Sequence, residues 1–224
     1  MPKLIDLTLT LGSPRVSAVP GLIGVTMVPL QTHESHTRSN TKLTLATHIG
    51  THVDAPYHFV EGAATVDQMP LEKYMGPAVL LDLRSVARGL TPLQVSELED
   101  AGATPEALKD KIAVLFTGWA EAESAGARFY GHGPYLSNEG ADYLAKTGVN
   151  AVAVDFPIDK HPATPLSTIH DFPVHRLLLG QNIPLIENLI NLDQLVGREF
   201  ELWALPLKLK SGDGTATRAV ARIT

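Results

Sequence analysis

The sequence predicts a single mixed α/β domain over residues 1–224. Three observations predict it. Short apolar runs of roughly four to eight residues recur along the chain, and segments with helix-start and helix-stop residues lie between them. No linker, internal repeat or low-complexity tract interrupts the pattern. With 224 residues, 44% of them hydrophobic and 19% charged, the chain is long enough to bury one substantial core.

The elements follow in order. Residues 4–10 (LIDLTLT) and 41–47 (TKLTLAT) alternate apolar and polar side chains, the period of a strand with one buried face. Residues 77–83 (PAVLLDL), 112–118 (IAVLFTG), 151–156 (AVAVDF) and 200–207 (FELWALPL) are more continuously apolar, as strands covered on both faces are. A helix is expected over 91–102, where Thr91-Pro92 reads as a cap with proline in the first turn and Gly102 as the stop. Ser137 and Gly148 bracket a second helix, and Pro173 and Gly180 a third. Residues 120–136 and 158–172 are expected to be long loops walling a site.

Composition excludes several functions. A net charge of −6 with no cluster of Lys and Arg argues against a nucleic-acid or anionic-membrane surface, since phosphates demand concentrated positive charge. The densest basic patch, KLK at 208–210, reads as a solvated strand. Cysteine is absent, which removes disulfides, thiolate metal sites and cysteine nucleophiles together. The first residues alternate where a signal peptide would be continuously apolar, and no run reaches the eighteen or so apolar residues of a membrane span, so a cytoplasmic address is expected.

The chemistry concentrates in residues 46–59, ATHIGTHVDAPYHF, which hold His48, His52, Asp54 and His58. On a straight strand the four would share one face but spread too far, because six residues at about 3.3 Å each span roughly 20 Å, whereas ligands of one ion converge within about 2 Å of it. The segment must therefore curl. Gly50 and Ala55-Pro56 are where it can, through the dihedral freedom of glycine and the restriction proline imposes on the residue before it. A run of unrelated surface or core histidines is the plainer alternative, but four ionisable groups on one bent segment are costly to desolvate unless something compensates them. His48 and His52 would supply imidazoles and Asp54 an anionic oxygen, a donor set suited to Zn²⁺ or Mn²⁺ with positions left for water. His58, beyond the proline, is either a fourth ligand or a general base beside the ion.

The same residues resemble a known family. THIGTHVDAPYHF matches the H-x-G-T-H-x-D-x-P-x-H signature of the metal-dependent cyclase family, which includes bacterial kynurenine formamidases and isatin hydrolases. The likeness continues through residues 65–83, 114–119, 173–195 and 203–221. It implies a swivelling β/β/α domain with a mixed, barrel-like sheet, and a homodimer or homotetramer in which neighbouring subunits help line the site. It also implies that His48, His52 and Asp54 hold a first ion and that His58 is the general acid/base. Asp54 would bridge to a second ion completed by His175 and Glu187, which makes one or two Zn²⁺ or Mn²⁺ ions per chain. Read from the residues alone, His175 faces outward from a short helix and Glu187 ends an otherwise apolar strand, an odd place for a carboxylate that only packs.

The implied activity is hydrolysis, by metal-activated water, of an amide-type C–N bond in a small molecule. The substrate would be an N-formyl aryl amine such as N-formylkynurenine, in tryptophan catabolism, or a cyclic amide such as isatin. A lactone hydrolase or cyclase of secondary metabolism is the alternative within that class, and a non-catalytic metal- or ligand-binding protein the alternative outside it. The chain departs from the family pattern in two loops, each expected to face substrate. Phe156 and Ile158 stand where hydroxyl residues are usual, and residues 213–218 read DGTATR in place of D-G-S-P-V-R. His33, His36, His132, His161 and His170 are expected to be solvated, with His132 at the pocket edge.

Overall fold

The computed structural model describes residues 3–16, 18–123, 127–160, 168 and 170–223. In chain order its strands are β1 (Leu4–Asp6), β2 (Thr26–Gln31), β3 (Asn40–Thr44), β4 (His52–Asp54), β5 (Met75–Asp82), β6 (Pro92–Leu93) and β7 (Ile112–Phe116). They continue as β8 (Tyr135–Leu136), β9 (Ala151–Val154), β10 (Leu185–Glu187), β11 (Phe200–Trp203), β12 (Gly214–Ala216) and β13 (Val220–Ile223). The helices are α1 (His33–His36), α2 (Val95–Asp100), α3 (Pro105–Leu108), α4 (Trp119–Glu123), α5 (Ala127–His132), α6 (Asn138–Lys146) and α7 (Pro173–Gly180).

Nine strands form one curled sheet in the order β1-β13-β11-β5-β7-β9-β10-β4-β12. Its centre, β5-β7-β9-β10, is parallel, and antiparallel strands flank it on both sides. The apolar runs explain the centre. Ile112, Val114 and Phe116 of β7 pack into one core while Ala113 and Leu115 pack into another on the opposite face. Ala151 and Ala153 of β9 separate from Val152 and Val154 in the same way. A period of two with both faces covered leaves no room for polar residues, so the strands read as continuous runs. The second core is closed by helices, through Leu98 of α2, Leu144 of α6 and Leu178 of α7.

Several expectations are corrected. Thr91-Pro92 does not start a helix, because Pro92 and Leu93 pair with Tyr135 and Leu136 as a short parallel ladder. The helix starts at Val95, where Gln94 and Glu97 form a reciprocal capping box with a Gln94 N–H to Glu97 Oε2 bond of 2.6 Å. The expected loop at 120–136 contains most of α4, all of α5 and β8. The strand expected over 200–207 ends at Trp203, and Lys208 and Lys210 are exposed outside any strand. Alternation in residues 41–47 does not mark a buried face. β3 pairs with β2 in a hairpin whose apolar Met27, Val28, Leu30 and Leu43 are all exposed. Residues 161–167, including His161, lie outside the described residues, as does part of the expected loop at 158–172. Among the described residues no helix is long and apolar enough to cross a membrane.

Candidate metal centre

The sheet register assembles the site before any helix contributes. In β4 the middle residue, Val53, turns into the first apolar core, so His52 and Asp54 share the opposite face. β10 runs antiparallel beside it with Glu187 directly opposite His52 and Leu185 opposite Asp54. On the other side β12 sets Gly214 opposite Asp54. A side chain at Gly214 has no room, since a Cβ there would lie 2.5 Å from the Val53 carbonyl oxygen and 2.6 Å from His48 Cε1. Glycine lets the β12 backbone close over the imidazole.

The segment before and after β4 curls at the two places its residues allow. Gly50 has φ +61 and turns the chain so that His48 folds back onto Asp54, with His48 Nδ1 2.7 Å from Asp54 Oδ1. Pro56 opens a 3₁₀ turn over Pro56–His58, which stacks the His58 ring on that of His48 with centroids 3.7 Å apart and planes 18° from parallel. α7 then lies across the same face and delivers His175, whose Nε2 is 3.4 Å from both Asp54 Oδ2 and Glu187 Oε1. His175 is therefore buried and faces inward, contrary to its outward reading from sequence. The reason is local. Val174, His175, Leu178 and Leu179 make one buried stripe at helical spacing, and His175 falls inside it.

Two groups of potential ligands share Asp54. His48, His52 and Asp54 make one, and Asp54, His175 and Glu187 the other, with candidate atoms inside each group no more than 4.8 Å apart. All five residues are buried, Asp54 completely. The tautomers of two imidazoles follow from their partners. His52 Nδ1–H donates to the Gly50 carbonyl at 2.8 Å, and His175 Nδ1–H donates to Asp159 Oδ2 at 2.6 Å. In both rings this leaves Nε2 as the nitrogen directed at Asp54 and Glu187, the one through which the imidazole can ligate an ion once that nitrogen has given up its proton.

Among the described residues, four buried side-chain polar atoms lack a hydrogen-bond partner. His48 Nε2, Asp54 Oδ2 and Glu187 Oε1 are three of them. Buried polar groups are normally paired, because an unmet donor or acceptor costs about 1–3 kcal/mol. Three such atoms in one cluster of nitrogen and oxygen donors fit a divalent cation.

The electrostatics follow from crowding. Burial disfavours charge on Asp54, yet the surrounding His48, His175 and His52 hold its carboxyl well below the usual range. Burial likewise opposes protonation of His48, but Asp54 and Asp213 push it up to about 10. His175 is raised well above its ordinary value, against burial, by Asp159, Asp54 and Glu187. His58 goes the other way. Burial lowers it to about 4, reinforced by His48 and His175 and opposed by Asp54, so this ring is neutral at pH 7.

Sequence reading missed four participants. Asp213, half-buried on the turn before β12, has Oδ2 3.3 Å from His48 Nε2 and forms a third group with His48 and His58. Asp159 holds His175, and its only sequence signal is an acid after the apolar Ile158. Asn188, buried next to Glu187, donates from Nδ2 to the Gly50 carbonyl that also receives His52. Phe59 stands beside the cluster with its ring centroid 4.5 Å from that of His58 and 4.9 Å from that of His175.

The two departures from the family pattern separate. Phe156 and Ile158 are fully buried in the second apolar core, so they do not face substrate as expected. In the second loop Asp213, which the family pattern shares, approaches the cluster, while the differing Thr215 and Thr217 are buried. His33, His36, His132 and His170 are exposed.

The Cyclase family model matches residues 5–159. The chain belongs to the cyclase family. A kynurenine formamidase from Salinibacter ruber is 33% identical over 181 residues, which cover 80% of this chain and 78% of that one. Isatin hydrolase A from Ralstonia solanacearum superposes with a TM-score of 0.80 at 26% identity, covering all of this chain and 92% of that one. Isatin hydrolase A from Labrenzia aggregata gives a TM-score of 0.84 at 24% identity over 100% of this chain and 94% of its own, a likeness of fold.

Proposed function

We propose that this cyclase-family chain is a metal-dependent hydrolase that cleaves an amide-type C–N bond in a small aromatic molecule, either an N-formyl aryl amine or a cyclic amide. The observation that carries the reading is that five buried side chains of ligand type fall into two groups sharing Asp54, with Asp54 Oδ2 and Glu187 Oε1 lacking hydrogen bonds beside the His175 Nε2. His48, His52 and Asp54 would hold one ion, and Asp54, His175 and Glu187 a second. Bound Zn²⁺ or Mn²⁺ supplies Lewis acidity at the carbonyl and lowers the pKa of water, to about 7 for zinc.

The chain's own residues account for the rest. Hydrolysis moves one proton from the attacking water to the departing nitrogen, and neutral His58 has a ring nitrogen ready to accept it and return it. Its stacking on His48 keeps that nitrogen beside the reacting centre. Phe59 and Phe172, with ring centroids 5.7 Å apart, border His175 and offer a flat aromatic partner an apolar face. The names of the relatives support the same bond type, since one is a kynurenine formamidase and another an isatin hydrolase.

The test is turnover by the zinc- or manganese-loaded protein of N-formylkynurenine, isatin and a simple aryl lactone, with product identified by mass. Release of formate from the first, or ring opening of the second, is expected. Opening of the lactone with neither amide cleaved would overturn the assignment to C–N bonds.

A further inference from the structure

We infer that Asp159 is the positioning residue of the second ion site, setting both the tautomer and the aim of His175. The inference rests on the metal-dependent reading of the cluster. Asp159 is itself 2% exposed and receives three N–H groups, all from the first turn of α7. Its Oδ1 accepts from the Val174 amide at 3.0 Å, and its Oδ2 accepts from the His175 amide at 3.0 Å and from His175 Nδ1 at 2.6 Å. The N-cap position of α7 is Phe172, whose side chain makes no capping bond. The carboxylate thus does from outside the helix what a cap residue does, and in the same contact it seizes the imidazole.

That double grip has a chemical consequence. Because Oδ2 bonds both the backbone amide and Nδ1 of one residue, the ring cannot rotate or exchange tautomers without losing a charge-assisted bond. Nε2 is left as the nitrogen that faces the cluster and is open to an ion, 3.4 Å from Asp54 Oδ2 and from Glu187 Oε1. A carboxylate behind the ring also raises its basicity as a ligand. His52, by contrast, is anchored through the neutral Gly50 carbonyl, so the two ion positions differ in the strength of their backing.

Asp159→Asn separates the two roles. Asparagine caps a helix about as well as aspartate, so α7 should remain in place. One oxygen becomes an amide donor, however, and where that amide faces Nδ1 it favours the Nε2–H tautomer, which cannot ligate through Nε2. Calorimetric titration of the apo-protein with Zn²⁺ should then show the first ion bound as in the wild type and the second weakened about 10–100-fold. Two ions bound with wild-type affinities would overturn the inference while leaving the metal reading intact. A wild-type chain that takes up only one ion would instead overturn the second site itself, and this inference with it.

Should the Asn variant not fold, the wild type answers directly. The ¹⁵N-histidine spectrum of the zinc-loaded protein, with His175 assigned by its loss in His175→Gln, should show the proton on Nδ1 and the metal on Nε2. A proton on Nε2 would overturn the role given to Asp159.

Discussion

Replacing Asp54 with Asn should empty both ion positions at once and reduce hydrolysis by more than the 10–100-fold that follows loss of an outer partner. The side chain belongs to both ligand groups, through Oδ1 towards His48 and His52 and through Oδ2 towards His175. Asn keeps one of those oxygens and turns the other into a donor. Whichever way the amide sits, an N–H then faces imidazole nitrogens that have to remain open for an ion. The Asp54 carboxylate is completely buried, so water cannot stand in for the lost oxygen without displacing its neighbours. Shape is nearly conserved and Val53 still fills the core from the same strand, so the protein should remain folded. Elemental analysis of the purified variant should find well under one ion per chain, alongside a cooperative thermal transition. Two ions retained at full affinity would show that Asp54 is not the shared ligand.

His58→Ala should do the opposite to metal content. The ions stay near the wild-type stoichiometry while kcat falls by roughly 10²–10⁴, the usual worth of a positioned acid–base group. His58 is half-buried, lies outside the two groups that share Asp54, and has its proton affinity lowered to about 4, chiefly by burial. A ring that stays neutral at pH 7 suits a group that must first accept a proton. A rival assignment is built into the structure, because His58, His48 and Asp213 form a ligand group of their own. Under that rival the variant would lose an ion together with activity. Measuring both quantities on one preparation separates the two.

How much of this was legible in the sequence depends on the residue. The curl of the His48–His58 segment was legible because Gly50 and Pro56 are residues whose backbone preferences act locally, and both bends occur where those preferences place them. The strands β7 and β9 are legible because a strand buried on both faces admits almost no polar side chains, but their parallel pairing is not, since β11 has the same kind of run and pairs antiparallel. The orientation of His175 is not legible, since one histidine in an eight-residue helix does not reveal which stripe is buried until α7 meets the sheet. Asp159 was invisible for a related reason. Its role exists only through a contact sixteen residues along the chain, past residues with no period that predicts it. Asp213 and Asn188 act across separations larger still, 165 and 138 residues, set by the register of β12 and β10 against β4. Phe156 and Ile158 mislead because a change of residue type beside a site looks, in sequence, like a change in the pocket. Burial shows that it is a change in the core.

The central claim is that hydrolysis depends on an ion held by His48, His52, Asp54, His175 and Glu187. Dialysis against a chelator, followed by titration with Zn²⁺ or Mn²⁺ while C–N bond cleavage is followed on the same sample, tests it most directly. The account predicts that cleavage disappears with the metal and returns in proportion to the ions rebound. Undiminished cleavage by protein shown by elemental analysis to hold no divalent metal would contradict it.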